Sequence, residues 1–316
     1  MRLKYVLIGD ERAVSDTRNR KDCLLTGLWG WSRAVSRYGD RGDVRLLRRI
    51  EDLEEYDVVH VNLTGGNWAL LDVVGDVLKE SSTVLMANID FTVANWDNFP
   101  YFVMIKKMFS HVDIPFHVEP VGASALSHVL DRRVFYLPHP CDIECLDRHK
   151  QADRENYITS VYHRYHSMIN CLWMAQINVP LHRVLLGYAK GNVPALPMFD
   201  SVFPHLPFME AIDIMSRGRF GLDLFPFPVA GRAVIDFAAL AVPCVCSNQI
   251  YSCKELFPDL CIEPFDVKRA NSLFLELIDD DEKYERIFKK AYYGVSFYGY
   301  KACYRRLVEA FEEVKK

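Results

Sequence analysis

Residues 225–248, FPFPVAGRAVIDFAALAVPCVCSN, bring Gly231, Arg232 and Asp236 together between a Pro-containing loop and a short helical pattern. A loop that ends at a helix start presents unpaired backbone N–H groups and the positive end of the helix dipole, which suits a phosphate. Arg232 adds a planar, permanently charged donor fork, and the carboxylate of Asp236 accepts hydrogen bonds of the kind sugar hydroxyls donate. The same residues also fit an ordinary loop, helix and strand of an α/β domain with Arg232 solvated. The elements that must position them are readable: Ala233, Phe237 and Leu240 recur at helical spacing, with Asp236 beside them. Val242-Pro243 then breaks the helix, and Cys244, Val245 and Cys246 read as a buried strand.

Metal chemistry has no comparable pattern. Nine Cys are scattered, and the close pairs Cys141 with Cys145 and Cys244 with Cys246 lack the partner set that zinc needs. Their odd count and apolar settings predict buried thiols in a reducing cytosol. The Asp-x-Asp spacing of Asp279 and Asp281 opens a charged helix and reads as capping and solvated surface.

The chain has 316 residues, enough for two α/β domains, each with its own core. Half of it is hydrophobic and a quarter charged, an ordinary globular composition. A net charge of −4 gives no global reason to expect nucleic acid as a partner. No signal-peptide pattern precedes the first strand and no apolar run approaches about 20 residues, so a cytoplasmic protein is expected, able to touch a membrane surface from outside. Strands are expected at residues 3–8, 57–62, 83–87, 133–137, 157–162, 183–187, 220–224 and 261–266. A charged linker, DRHKQADREN, is expected at residues 147–156.

The 225–248 stretch resembles the donor-binding segment of GT-B glycosyltransferases of the group 1, or family 4, type, with its pattern E-x-F-G-x-x-x-x-E-A-x-A-x-G-x-P-V-V. Asp236-Phe237-Ala238-Ala239-Leu240-Ala241-Val242-Pro243 follows the second half, with Asp236 in place of the second Glu, and Gly231 keeps the first Gly. Pro228 occupies the position of the first Glu and Ala241 that of the second Gly, so the E-x7-E motif is degenerate. Other matches follow in chain order. Gly27 and Gly30 stand in the first helix, where such enzymes carry a glycine-rich loop near the donor phosphates or acceptor. Asp57-Val58-Val59-His60-Val61-Asn62 resembles the D-x-V-H-x-H/N strand end, and Leu137-Pro138-His139-Pro140-Cys141-Asp142 resembles the P-x-G-V-D handover between domains.

The resemblance implies an α/β architecture of two Rossmann-like domains facing across a cleft. Residues 1–150 would form an acceptor-side domain and 151–297 a nucleotide-sugar-binding domain, with a helix at 298–316 crossing back to the first. It implies transfer of a sugar from a nucleotide-sugar donor to an acceptor (glycan, lipid or protein), without a metal or other cofactor. The alternatives are a non-catalytic GT-B-like protein that binds nucleotide or glycan, and a sugar-nucleotide epimerase. Ile89 and Asp90 occupy the positions of a family His-Asp pair, which makes Asp90 the candidate general base, with capping of the next segment as its structural alternative. Donor contacts fall on Gly27, Arg164, Lys190, Gly231, Arg232 and Asp236. Arg164 stands at the junction where the family places an Arg against the diphosphate, and Lys190 is the replacement for a downstream Lys.

Overall fold

The computed structural model describes residues 1–9, 27–46, 51–63, 69–89, 105–161, 167–187, 198–203 and 206–316. The chain divides into two compact units, Met1–Asp142 with Phe297–Lys316, and Ile143–Ser296.

In the first unit the strands β1 (Lys4–Gly9), β2 (Arg41–Leu46), β3 (Val58–Leu63), β4 (Val84–Ile89), β5 (Ile114–His117) and β6 (Phe135–Tyr136) form a parallel sheet in the order β2-β1-β3-β4-β5-β6. Parallel strands covered on both faces read as near-continuous apolar runs, and every residue of VVHVNL and VLMANI is buried, the polar His60, Asn62 and Asn88 included. Side chains alternate between the faces. Val59, Val61, Leu85 and Ala87 pack with Leu71 and Val74 of α2 (Ala69–Leu78) and with Leu126 and Leu130 of a third helix, α3 (Pro120–Leu130). Tyr5, Val58, Met86 and Phe116 face the other way, against Trp31 and Val35 of α1 (Gly27–Tyr38) and Cys303, Leu307 and Phe311 of the C-terminal helix Tyr300–Val314. The Tyr304 hydroxyl accepts from Leu3 N at 3.1 Å and donates to Met1 O at 3.0 Å, tying the last helix to the first strand.

The second unit repeats the architecture. Its strands β7 (Glu155–Val161), β8 (His182–Leu186), β9 (Ser201–Phe203), β10 (Gly218–Asp223), β11 (Cys244–Ser247) and β12 (Cys261–Ile262) are parallel, in the order β12-β11-β10-β7-β8-β9. Around them lie α4 (Ser167–Met174), α5 (Phe208–Arg217), α6 (Arg232–Ala239), α7 (Tyr251–Leu256), α8 (Val267–Asp279) and α9 (Asp281–Gly294). Phe220 is fully buried, with its ring 5.4 Å from that of Phe274 and 5.6 Å from that of Tyr284. Among the described residues no helix is long and apolar enough to cross a membrane.

Two expectations need correction. Not all cysteines are thiols: Cys246 and Cys253 form a disulfide with Cα atoms 6.2 Å apart, and Cys145 is also disulfide-bonded. The turn after β11 folds α7 back onto that strand, a proximity that a sequence spacing of seven does not reveal. Cys171, Cys244 and Cys303 do keep buried thiols. In the Asp-x-Asp segment the capping residue is Asp280, between the two aspartates, whose side chain accepts from Lys283 N at 2.8 Å. Asp279 closes α8, and Asp281 opens α9 with its side chain 93% exposed.

Candidate functional site

In an open parallel sheet, ligands gather outside the carboxyl ends of the strands where the strand order reverses. In the second unit that reversal lies between β7 and β10, which end at Val161 and Asp223. The loop leaving β10 leads to Gly231, whose φ of 85° is left-handed and suits glycine, and α6 starts at the next residue. A Cβ at Gly231 would lie 2.2 Å from a methyl of Ile250 and 2.5 Å from the Ser252 hydroxyl, so close approach also demands glycine here.

The segment after β11 clamps this loop. Val229 N donates to Gln249 O at 3.2 Å, Tyr251 N to Val229 O at 2.9 Å and Ser252 N to Ala230 O at 3.2 Å. The Ser252 hydroxyl adds a bond to Gly231 O at 2.8 Å, and the neighbouring Cys253 is tied to β11 through its disulfide. The start of α6 is thereby held on its backbone.

Arg232 is the first residue of α6, and its Nε donates to Asp236 Oδ1 at 2.7 Å, one turn on. Its guanidinium carbon lies 5.6 Å from the ring centre of the buried Phe208, at the start of α5. Asp236 is the fifth residue of the helix, beyond the first turn, and its side chain has no exposed surface. The far end of α6 is held as firmly. Arg154 donates to Leu240 O at 2.8 Å and Ala241 O at 3.4 Å, and also to Ser216 O at the end of α5. Burial lowers the pKa of Arg154. Ala241, in the position of the motif's second glycine, takes the left-handed conformation with φ 57°.

The structure thus brings Gly231, Arg232 and Asp236 together. Gly27 is the first residue of α1 in the first unit. Asp90, Arg164 and Lys190 lie outside the described residues. Gly30 owes its identity to packing, because a Cβ there would lie 2.3 Å from Pro140 O. Three residues of this second-unit site were not singled out from sequence: Phe208, Ser252 and Asp223. Asp223 is a fully buried carboxylate at the end of β10, accepting from Phe225 N at 3.2 Å. An acidic residue closing the apolar run FGLDL was the available signal for it.

Within the first unit's sheet a buried polar chain crosses three strands, from Tyr5 near the amino end of β1 through His60 of β3 to Asn88 near the carboxyl end of β4. The Tyr5 hydroxyl is 2.6 Å from His60 Nδ1, and His60 Nε2 is 2.8 Å from Asn88 Oδ1. With the imidazole proton on Nε2, Tyr5 donates to His60 and His60 to Asn88. Burial raises the Tyr5 pKa well above its ordinary value, which keeps that hydroxyl a donor. Asn62 is Asn88's neighbour across the strands, and Ile89, next to Asn88, is buried in the core. Among the described residues no three His, Cys, Asp or Glu side chains group as a metal site.

Known structures with this arrangement of sheets exist. HepE from Anabaena, solved in complex with UDP-glucose, superposes with a TM-score of 0.71 at 11% identity, covering 98% of this chain and 100% of that one. The chain has the GT-B fold. Sucrose-phosphate synthase from Thermosynechococcus elongatus gives a TM-score of 0.68 at 12% identity over 99% of both chains. The trehalose 6-phosphate synthase of Burkholderia multivorans gives 0.64 at 10% identity over 85% of this chain and 76% of that one. No protein-family model matches the chain, and no curated protein sequence does either.

Proposed function

We propose that the protein is a glycosyltransferase that moves a sugar from a nucleotide-sugar donor to an acceptor without a metal ion. The observation that carries this reading is a likeness over nearly the whole chain to HepE, a protein solved with UDP-glucose, joined to a phosphate-compatible helix start at Gly231 and Arg232. In this reading the unit Ile143–Ser296 holds the donor and the unit containing Met1–Asp142 takes the acceptor.

During transfer the bond between the anomeric carbon and the diphosphate oxygen breaks and the acceptor oxygen bonds to that carbon. Negative charge grows on the leaving nucleoside diphosphate. Fixed cations and helix N–H groups stabilise that charge without reorganising, which is the role assigned to Arg232, Arg164, Lys190 and the backbone at Gly231 and Gly27. Asp90 takes the acceptor's hydroxyl proton. A donor-binding protein without turnover is the second reading, favoured by Pro228 in the position of the motif's first Glu and by Ile89, which is only 1% exposed.

Slow release of nucleoside diphosphate from a bound nucleotide sugar, with no acceptor present, is the discriminating measurement. Release that persists in EDTA supports a metal-independent transferase. Binding without release supports the second reading, and activity restored only by magnesium or manganese refutes metal independence.

A further inference from the structure

A carboxylate without exposed surface meets a sugar hydroxyl only after the groups that cover it move, and the Asp236 side chain is 0% exposed. Its Oδ1 is instead occupied at 2.7 Å by Nε of Arg232, a residue whose own side chain keeps 23% of its surface exposed. The Arg232 guanidinium is bounded by the Phe208 ring as well, at 5.6 Å. Its stem leaves a backbone already fixed by the Ser252 bond to Gly231 O. A guanidinium is planar, so holding Nε in place also sets the directions of its terminal nitrogens. We infer that Asp236 is a positioning residue: it orients Arg232 toward an anionic diphosphate at the start of α6 and does not itself bind the donor's ribose. This rests on the donor-site reading above. Its advantage is pre-organisation, since a long side chain already ordered loses little freedom when the ligand arrives.

Calorimetry with UDP, GDP and ADP, and with the 2′-deoxy and 3′-deoxy forms of whichever binds, tests the inference. The wild type is expected to bind one of these diphosphates. Asp236→Asn and Arg232→Ala should each weaken it by about tenfold or more, the scale of a hydrogen bond to a charged group. The double variant should bind no worse than Arg232→Ala alone, because both changes remove one device. The penalty for deleting a ribose hydroxyl should be the same in the wild type and in Asp236→Asn. Arg232→Lys keeps the charge, loses the Nε bond and leaves the buried aspartate in place, so it reads the geometry even if Asp236→Asn fails to fold; its loss should approach that of Arg232→Ala. Losses that multiply in the double variant, an Arg232→Lys protein that binds like the wild type, or a ribose penalty that vanishes with Asp236 would overturn the positioning role and leave the donor site standing. A wild type that binds none of the three diphosphates would overturn the donor site and this inference with it.

Discussion

At the scale of single residues, the same side-chain type takes different work according to where the backbone carries it. Asp236 illustrates what sequence could and could not deliver. The spacing that marks Ala233, Phe237 and Leu240 as one helical face sets Asp236 beside it and suggested a carboxylate open to sugar hydroxyls; its complete burial and its pairing with Arg232 came only with the fold. Asp90 carries the proton-transfer proposal, and Asp90→Asn should lower turnover by roughly 10²–10⁴-fold, the usual share of general-base catalysis, with donor affinity nearly unchanged. Steady-state rates with a competent acceptor check this, and full turnover by the variant would leave Asp90 a cap. Ala241 gives a stability prediction. Its left-handed φ of 57° costs an L-residue roughly 1–2 kcal/mol. Replacement by Gly relieves that strain but frees the unfolded chain by about 0.4–1 kcal/mol and gives up a buried methyl worth up to about 0.8 kcal/mol. The terms oppose one another, so Ala241→Gly should shift stability by no more than about 1.6 kcal/mol. Ala241→Val adds a β-branched side chain to the same conformation and should cost about 1–3 kcal/mol by thermal denaturation. A Val protein as stable as the wild type would contradict the backbone assignment.

At the scale of elements, α6 is positioned from both ends, and its two anchors differ in how visible they were. The loop and helix start were legible from Gly231-Arg232 and the apolar stripe, because turn chemistry and periodicity are local. The anchors come from distant sequence: Ser252 from beyond β11, and Arg154 from the charged run 147–156 that reads as a linker. Composition rightly marks that run as polar, but only the fold shows that Arg154 belongs to the caps of α5 and α6 and that Asp147 accepts from Tyr292 and Lys150. Arg154→Met keeps most of the stem's volume and removes its donors from the carbonyls of Ser216, Leu240 and Ala241. Since hydrogen bonds to a charged group contribute about 1.5–3 kcal/mol and shared bonds are not additive, the loss should be about 2–3 kcal/mol. Chemical denaturation measures it through the midpoint. An unshifted midpoint would mean that water replaces the guanidinium without cost.

At the scale of the whole molecule, the two parallel sheets were readable because buried parallel strands are written as near-continuous apolar runs, as in Lys4–Gly9 and Val84–Ile89. The edge strand Ser201–Phe203 was not, since three half-exposed residues carry no period of their own and pair only because β8 lies beside them. The titrating groups predict how the assembled chain responds to pH. Hydrogen bonds from Tyr292 and Lys150 hold the Asp147 carboxyl below its ordinary 3.8, backbone and side-chain bonds from Arg183 do the same for Asp200, and Lys283 and Arg269 hold Glu276 below 4.5. A depressed folded pKa contributes stability that is present above the unfolded value and lost as pH falls through the folded one. Acid should therefore begin to destabilise the protein near pH 4.5 and continue below 3.8. The alkaline side has the opposite cause. Burial pushes the Cys303 thiol from 9.0 up to about 12 and the Tyr157 phenol from 10.0 up to about 12. A raised folded pKa contributes stability that is complete below the unfolded value and is lost as pH rises toward the folded one. The melting temperature should hold level between about pH 5 and 8.5, then decline from pH 9 upward as the unfolded chain ionises groups that the fold keeps neutral. Cys303→Ala removes one of those groups and should flatten the decline between pH 9 and 10 relative to the wild type. Identical alkaline slopes in the two proteins would show that the Cys303 thiol is not held neutral by its burial between the C-terminal helix and the first sheet.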